Sequence, residues 1–104
     1  MSEPYQEKHS VRTEFHKATG IPWRVTWYNA LGDQDAPGDL PSEMGFGENG
    51  ALVYAFWKKD GKFNRDNDLP TRIYYDENSG KPYHFRWEKD DLEHRDGDKP
   101  STIG

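Results

Sequence analysis

Cysteine is absent from all 104 residues, so the chain has no disulfide framework and no thiolate for metal or redox chemistry. Nothing ties it to an oxidising compartment, and the cytoplasm is the expected location. Aliphatic side chains are scarce: the hydrophobic fraction is 32% while aromatics alone make up 14%, so any core must be built from Trp, Tyr and Phe, which suit sheets. No apolar run approaches the roughly 18 residues needed to span a bilayer. Met1 is followed by Ser-Glu-Pro-Tyr-Gln-Glu rather than by a basic and then apolar leader, so neither export by that route nor membrane embedding is expected. Basic residues are outnumbered, 14 against 19 acidic, and the net charge of −5 opposes a phosphate backbone at long range. Direct nucleic-acid binding is therefore not expected, and basic protein surfaces would be attracted instead. The chain also has no Gly-x-Ser-x-Gly, no phosphate loop and no motif-placed carboxylate pair, and His9, His16, His84 and His94 form no ligand pattern. No enzymatic activity, cofactor or metal site is expected.

Repetition is what the sequence does contain. Trp27, Trp57 and Trp87 stand 30 residues apart, each ending a similar stretch: Trp23-Arg-Val-Thr-Trp27, Val53-Tyr-Ala-Phe-Trp57 and Tyr83-His-Phe-Arg-Trp87. The odd-numbered positions are all apolar, and period-two alternation of this kind marks a half-buried strand. A turn ending in Gly20, Gly50 or Gly80 precedes each stretch, which predicts hairpins whose other arms are Val11–Phe15, Ser42–Phe46 and Thr71–Tyr75. Three further stretches, GDLPSEM, NDLPTRI and GDKPSTI, begin at Gly38, Asn67 and Gly97. In each, aspartate is expected to accept amides of its own turn, proline to fix φ, and the hydroxyl to satisfy a neighbouring backbone group at the strand entry. The spacing from Trp to Pro is 14, 13 and 13, and from Pro to the next Trp 16 and 17, so a slip in one loop is offset in the next and the period survives. Such a period is the sign of an array whose units bury their apolar faces against neighbours. After Trp57 and Trp87, Asp60-Gly61 and Asp90-Asp91 predict two short hairpin turns. The reading is an all-β antiparallel meander of about three hairpin repeats of about 30 residues, pivoting on Trp27, Trp57 and Trp87 and forming a single twisted sheet. Residues 11–104 form one domain in this reading, with 1–10 a flexible lead-in.

Trp57 to Tyr75 and Trp87 to Ile103, above all Leu92-Glu-His-Arg-Asp-Gly-Asp-Lys-Pro100, resemble the MORN-like β-repeats of bacterial and phage proteins, which run tryptophan, turn, G-K-L-H-R-x-D-G-P-A, aromatic strand. The resemblance covers about half the chain. It departs at Ser42, Thr71 and Ser101, where the family has alanine, and at Gly32–Pro37, which lacks the His-Arg element. It implies a stacked-hairpin scaffold with a binding role and no particular chemistry. With the small size and acidic charge, it points to an inhibitor or accessory factor acting on a bacterial protein, including one that handles nucleic acid.

With the odd-numbered residues of the three strands inward, Arg24, Tyr28, Tyr54, Phe56, His84 and Arg86 lie on the opposite face. Aromatic and arginine side chains dominate interface energetics, so this stripe is the candidate partner surface, unless the N-terminal segment, a second protomer or the curl of the sheet covers it. Asp35, Asp39, Asp66, Asp68, Asp96 and Asp98 are expected along one edge. As a row they would mimic a phosphate chain toward a basic nucleic-acid-binding protein, the pairs Asp66/Asp68 and Asp96/Asp98 would suit calcium in a calcium-stabilised structural protein, and as a solvated edge they would only discourage aggregation. The arm beginning at Ser101 leaves a strand edge open to a second chain, which admits a homodimer or a self-assembling structural protein.

Overall fold

A computed structural model describes residues 9–97 and 99–104. These residues form an all-β protein without helix. Its strands are β1 (His9–Phe15), β2 (Pro22–Asn29), β3 (Glu43–Phe46), β4 (Leu52–Phe56), β5 (Lys58–Lys59), β6 (Lys62–Phe63), β7 (Arg72–Tyr75), β8 (Pro82–Arg86), β9 (Glu88–Lys89), β10 (Leu92–Glu93) and β11 (Thr102–Ile103). Seven of them make one antiparallel sheet in the order β1-β2-β3-β4-β7-β8-β11. The expected single-sheet meander needs correction here. After β4 and again after β8 the chain leaves the sheet to form a separate two-stranded ribbon, β5-β6 and β9-β10, before re-entering it. The two-residue turns Asp60-Gly61 and Asp90-Asp91 have positive φ at all four positions, the backbone that closes so tight a ribbon. The expected flexible lead-in lies outside the described residues as far as residue 8, whereas His9 and Ser10 already stand opposite Asn29 and Tyr28 in β1.

Register places a continuous apolar row on one face. Val25 faces Met44, Met44 faces Ala55, Ala55 faces Ile73, and Ile73 faces Phe85, which also faces Ile103. These directly opposed pairs are the unit of sheet stabilisation. The core is nonetheless thin, for among the described residues only Ala36, Ala55 and Trp87 are buried apolar residues. Extents of 43 × 39 × 20 Å describe a flattened molecule, and its radius of gyration is 15.0 Å, against about 13 Å for a globular chain of this length.

Three of the inward assignments also need correction. Between Glu14/Phe15, Gly45/Phe46 and Tyr74/Tyr75 the pairing slips, because Phe15, Phe46 and Tyr75 face Pro22, Leu52 and Pro82. Trp23, Val53 and Tyr83 are thus the extra residues of three β-bulges, which interrupt the alternation and re-aim the side chain. Tyr83 is 60% exposed as a result, and the Arg24 guanidinium lies 4.5 Å over the Trp23 ring although adjacent strand residues would point apart.

Stacking between neighbouring segments comes from the corners. The Trp57 indole donates to the Asp39 carbonyl at 2.9 Å, and the Trp87 indole donates to the Asp68 carbonyl at 2.9 Å. Arg65 lies 3.8 Å over Trp57 and Arg95 lies 3.7 Å over Trp87. Arg65 also grips both carboxylate oxygens of Asp39 at 3.0 Å and donates to the Pro70 carbonyl, while Arg95 donates to the Pro100 carbonyl and has Nε 3.7 Å from Asp68. This differs from the expectation for the corner aspartates. The turn amides of Leu40 and Leu69 are taken by the Pro37 and Asp66 carbonyls, which leaves the carboxylates of Asp39 and Asp68 to reach the following segment. The residue before each corner aspartate, Gly38, Asn67 or Gly97, has φ of 61°, 65° and 70°. That left-handed backbone is why the position holds only glycine or asparagine. The Ser42 and Thr71 side chains are fully buried; the Ser42 hydroxyl donates to the Phe56 carbonyl, and the Thr71 hydroxyl donates to Glu88 with the Arg86 carbonyl 3.1 Å away.

Candidate protein-binding face

The face opposite the apolar row carries a line of rings that crosses β8, β7 and β4. His84 meets Tyr74 edge-on at 5.3 Å, Tyr74 meets Phe56 at 5.6 Å, and Phe56 stacks on Tyr54 at 4.4 Å. Each pair adds about 0.5–1.5 kcal/mol beyond its burial. The structure therefore gathers Tyr54, Phe56 and His84 from the expected stripe and adds Tyr74. Phe56 is not an open contact residue, however. Ribbon strand β6 lays Phe63 against it at 5.7 Å, and Arg72 lies 3.8 Å over Phe63, so the molecule's own ribbon covers the line at Phe56. Tyr28 pairs with Ser10 and bridges to Gln34, away from the other rings. Arg24 and Arg86 flank the face with their charges already engaged, by Glu14 at 2.7 Å and by Glu93 at 2.8 Å. The Arg24 guanidinium in turn lowers the Glu14 pKa.

The uncovered end opens into a cleft of about 500 Å³ lined by Gly47, Val53, Tyr54, Tyr74, Tyr75, Asp76, Glu77 and Tyr83. Two bulges supply Val53 and Tyr83 to it, and bulges recur beside functional sites because they re-aim side chains. Sequence reading missed Tyr74, Tyr75, Tyr83, Asp76 and Glu77. The available signal was Pro22-Trp23 and Pro82-Tyr83, since proline within a sheet is confined to strand starts, edges and bulges.

Gly45 forms the seat of the Tyr54 ring. A Cβ there would lie 1.9 Å from a ring carbon, and Tyr54 is already held by Phe56 and by its hydroxyl bond to Glu43. Gly45→Ala is therefore expected to lose about 1–3 kcal/mol by overpacking and to shift the Tyr54 ring resonances. Gly47→Ala meets the carboxylate end of exposed Glu77 and, at 3.2 Å, the Asn49 side-chain oxygen, both side-chain ends that can shift, and should cost little, so urea unfolding of the two variants gives the comparison. Burial, and then the hydrogen bond to Glu43, push the Tyr54 phenol well above its ordinary value. A raised folded-state pKa contributes stability that is full below the unfolded value, about pH 10, and is lost as pH rises beyond it. The unfolding midpoint should fall above that pH, and Tyr54→Phe should flatten the fall.

The acidic residues are distributed differently from a free row. Asp35 accepts the Asp60 amide, Asp39 holds Arg65, Asp66 pairs with Lys59 at 3.2 Å, Asp68 takes Lys99 and the Asp96 amide, and Asp96 contacts His94. Asp98 lies outside the described residues. The Arg65 guanidinium holds the Asp39 carboxyl below the usual carboxylate range. Among the described residues no group of three or more His, Asp or Glu side chains converges as a metal site would require, and no helix is long and apolar enough to cross a membrane.

No family model, curated protein or solved structure matches the chain.

Proposed function

We propose that the chain is a non-enzymatic protein-binding module that presents the Tyr54, Tyr74 and His84 end of its aromatic face, with Tyr75 and Tyr83 beside it, to a protein partner. The observation that carries this reading is the uncovered cleft at the end of an otherwise self-packed aromatic line, on a flattened sheet with a thin core. Tyrosine at a partly buried, rigid position is a typical interface anchor. The scaffold is a hairpin-repeat array of the MORN-like kind. This is supported by the corner clamps at Trp57 and Trp87, the three bulges, and the left-handed residue before each corner aspartate. The acidic charge and the resemblance favour a small inhibitor or accessory factor acting in the cytoplasm on a bacterial protein. Recognition by phosphate mimicry is the weaker version, because the carboxylates of Asp39, Asp66, Asp68 and Asp96 have partners within the chain.

The test is capture from bacterial lysate by the tagged chain beside a Tyr75→Ala, Tyr83→Ala double variant and a Leu31→Ser control, with circular dichroism to verify folding. Tyr83 and Leu31 are 60% and 86% exposed, whereas Tyr75 is half-buried in β7, so the circular-dichroism check decides whether the double variant keeps its fold. Loss of one dominant partner with the double variant alone is expected. Capture that is indifferent to the double variant overturns the face, and a concentration-dependent homo-oligomer with no partner favours self-assembly through a sheet edge, such as β11 in the arm that begins at Ser101.

A further inference from the structure

Both turns that rim the cleft carry carboxylates, and the second ends in Lys81, which does not line the cleft. Glu48 lies on the turn after β3, Asp76 and Glu77 lie on the turn after β7, and none of the three has an ion-pair partner within 4.0 Å among the described residues. This contrasts with the corner aspartates, whose charges are engaged. No Lys, Arg or His lines the cleft, while four tyrosines do. Of these, Tyr54 spends its hydroxyl on Glu43 and Tyr74 interacts with Arg72, whereas the Tyr75 and Tyr83 phenols have no hydrogen-bond partner among the described residues. The Ser79 hydroxyl and amide, with the Asn78 amide, hold the Asp76 carboxyl below the usual carboxylate range. Ring faces that attract cations thus sit beside unneutralised carboxylates.

We infer that the cleft between the 47–51 and 76–81 turns receives a cationic side chain, arginine above all, from a basic segment of the partner. Arginine suits the site because its planar guanidinium stacks on tyrosine while its fork donates to a carboxylate such as Glu77. An anionic segment would meet Asp76 and Glu77 and be repelled. The inference rests on the protein-binding reading and deepens it by naming the chemistry of the partner's contact.

Titration of the full chain with hexa-arginine, followed by amide and aromatic resonances at low salt, tests it. Hexaglutamate and cellohexaose serve as charge and sugar controls. Shifts centred on Gly47, Val53, Tyr75 and Tyr83 are expected with hexa-arginine alone. Glu77→Gln, a surface change on a turn, should weaken binding about threefold and Tyr83→Ala about three- to tenfold. Hexa-arginine shifts scattered over the surface, equal binding by both variants, or cellohexaose shifting the same residues would each overturn the assignment. Such a failure concerns the ligand class alone, because the protein-binding reading is decided separately by the capture experiment.

Discussion

Glu88→Ala is expected to destabilise the protein by about 3–5 kcal/mol, the largest effect of any single substitution on this chain. The Glu88 side chain is 2% exposed, yet it is charged and surrounded by donors. Arg72 Nε and Nη2 reach its two oxygens at 2.9 Å, the Thr71 hydroxyl donates at 2.7 Å, and Arg86 Nε lies 3.9 Å away. Glu88 raises the pKa of Arg72, as a tight ion pair should. Truncation would leave the Arg72 guanidinium, itself only 23% exposed, without its carboxylate, while the Thr71 hydroxyl could turn to the Arg86 carbonyl 3.1 Å away. Because the whole stability of a domain is about 5–15 kcal/mol, such a loss would leave a marginal fold. Replacing both partners separates this account from a simple packing defect. Glu88→Leu with Arg72→Met removes both charges and should cost clearly less than Glu88→Ala, since an isolated buried charge is worse than none. Urea unfolding of the single and double variants checks it, and a single-variant loss below about 1 kcal/mol would contradict it.

The second large effect is at Arg65. Its side chain is 12% exposed and performs three tasks at once: it covers the Trp57 ring, closes the Pro70 carbonyl and grips Asp39. A partly desolvated cation over indole and charge-assisted bonds of this kind each contribute about 1–3 kcal/mol, though not additively. Arg65→Ala is therefore expected to lose about 2–4 kcal/mol. Lysine keeps the charge but cannot stack a plane on indole or fork onto a carboxylate, so Arg65→Lys should recover less than half. Asp39→Asn should cost only about 0.5–1 kcal/mol, because that carboxylate is 59% exposed and screened by water. Equal losses for Ala and Lys would mean that the stacked, forked geometry contributes everything, whereas full recovery by Lys would mean that only charge matters.

How far the sequence disclosed this molecule depends on whether a feature is local. The all-β class, the strand positions and the ribbon turns were legible because alternation and turn chemistry act within a few residues. The Trp27, Trp57 and Trp87 interval was equally legible. The bulges were not, since alternation in the sequence continues through Trp23, Val53 and Tyr83 while the pairing does not; only the partner strand reveals the slip. The same holds for Asp39 and Asp68, whose carboxylates look like turn acceptors until the Pro37 and Asp66 carbonyls are seen to satisfy those turns. Phe56 was placed on the correct face, but its cover, Phe63, comes from a ribbon that folds back over the sheet. The candidate site was thus half legible: Tyr54 and His84 followed from parity, whereas Tyr75, Tyr83, Asp76 and Glu77 required the bulge and the adjacent turns.

The most direct test of the account is hydroxyl-radical footprinting of the chain in bacterial lysate against the same chain in buffer. The binding face described here predicts protection at Tyr75 and Tyr83 with little change at Leu40 and Leu69 on the corners. Protection confined to the corners or to the β1 edge, with Tyr75 and Tyr83 as reactive as in buffer, would contradict it.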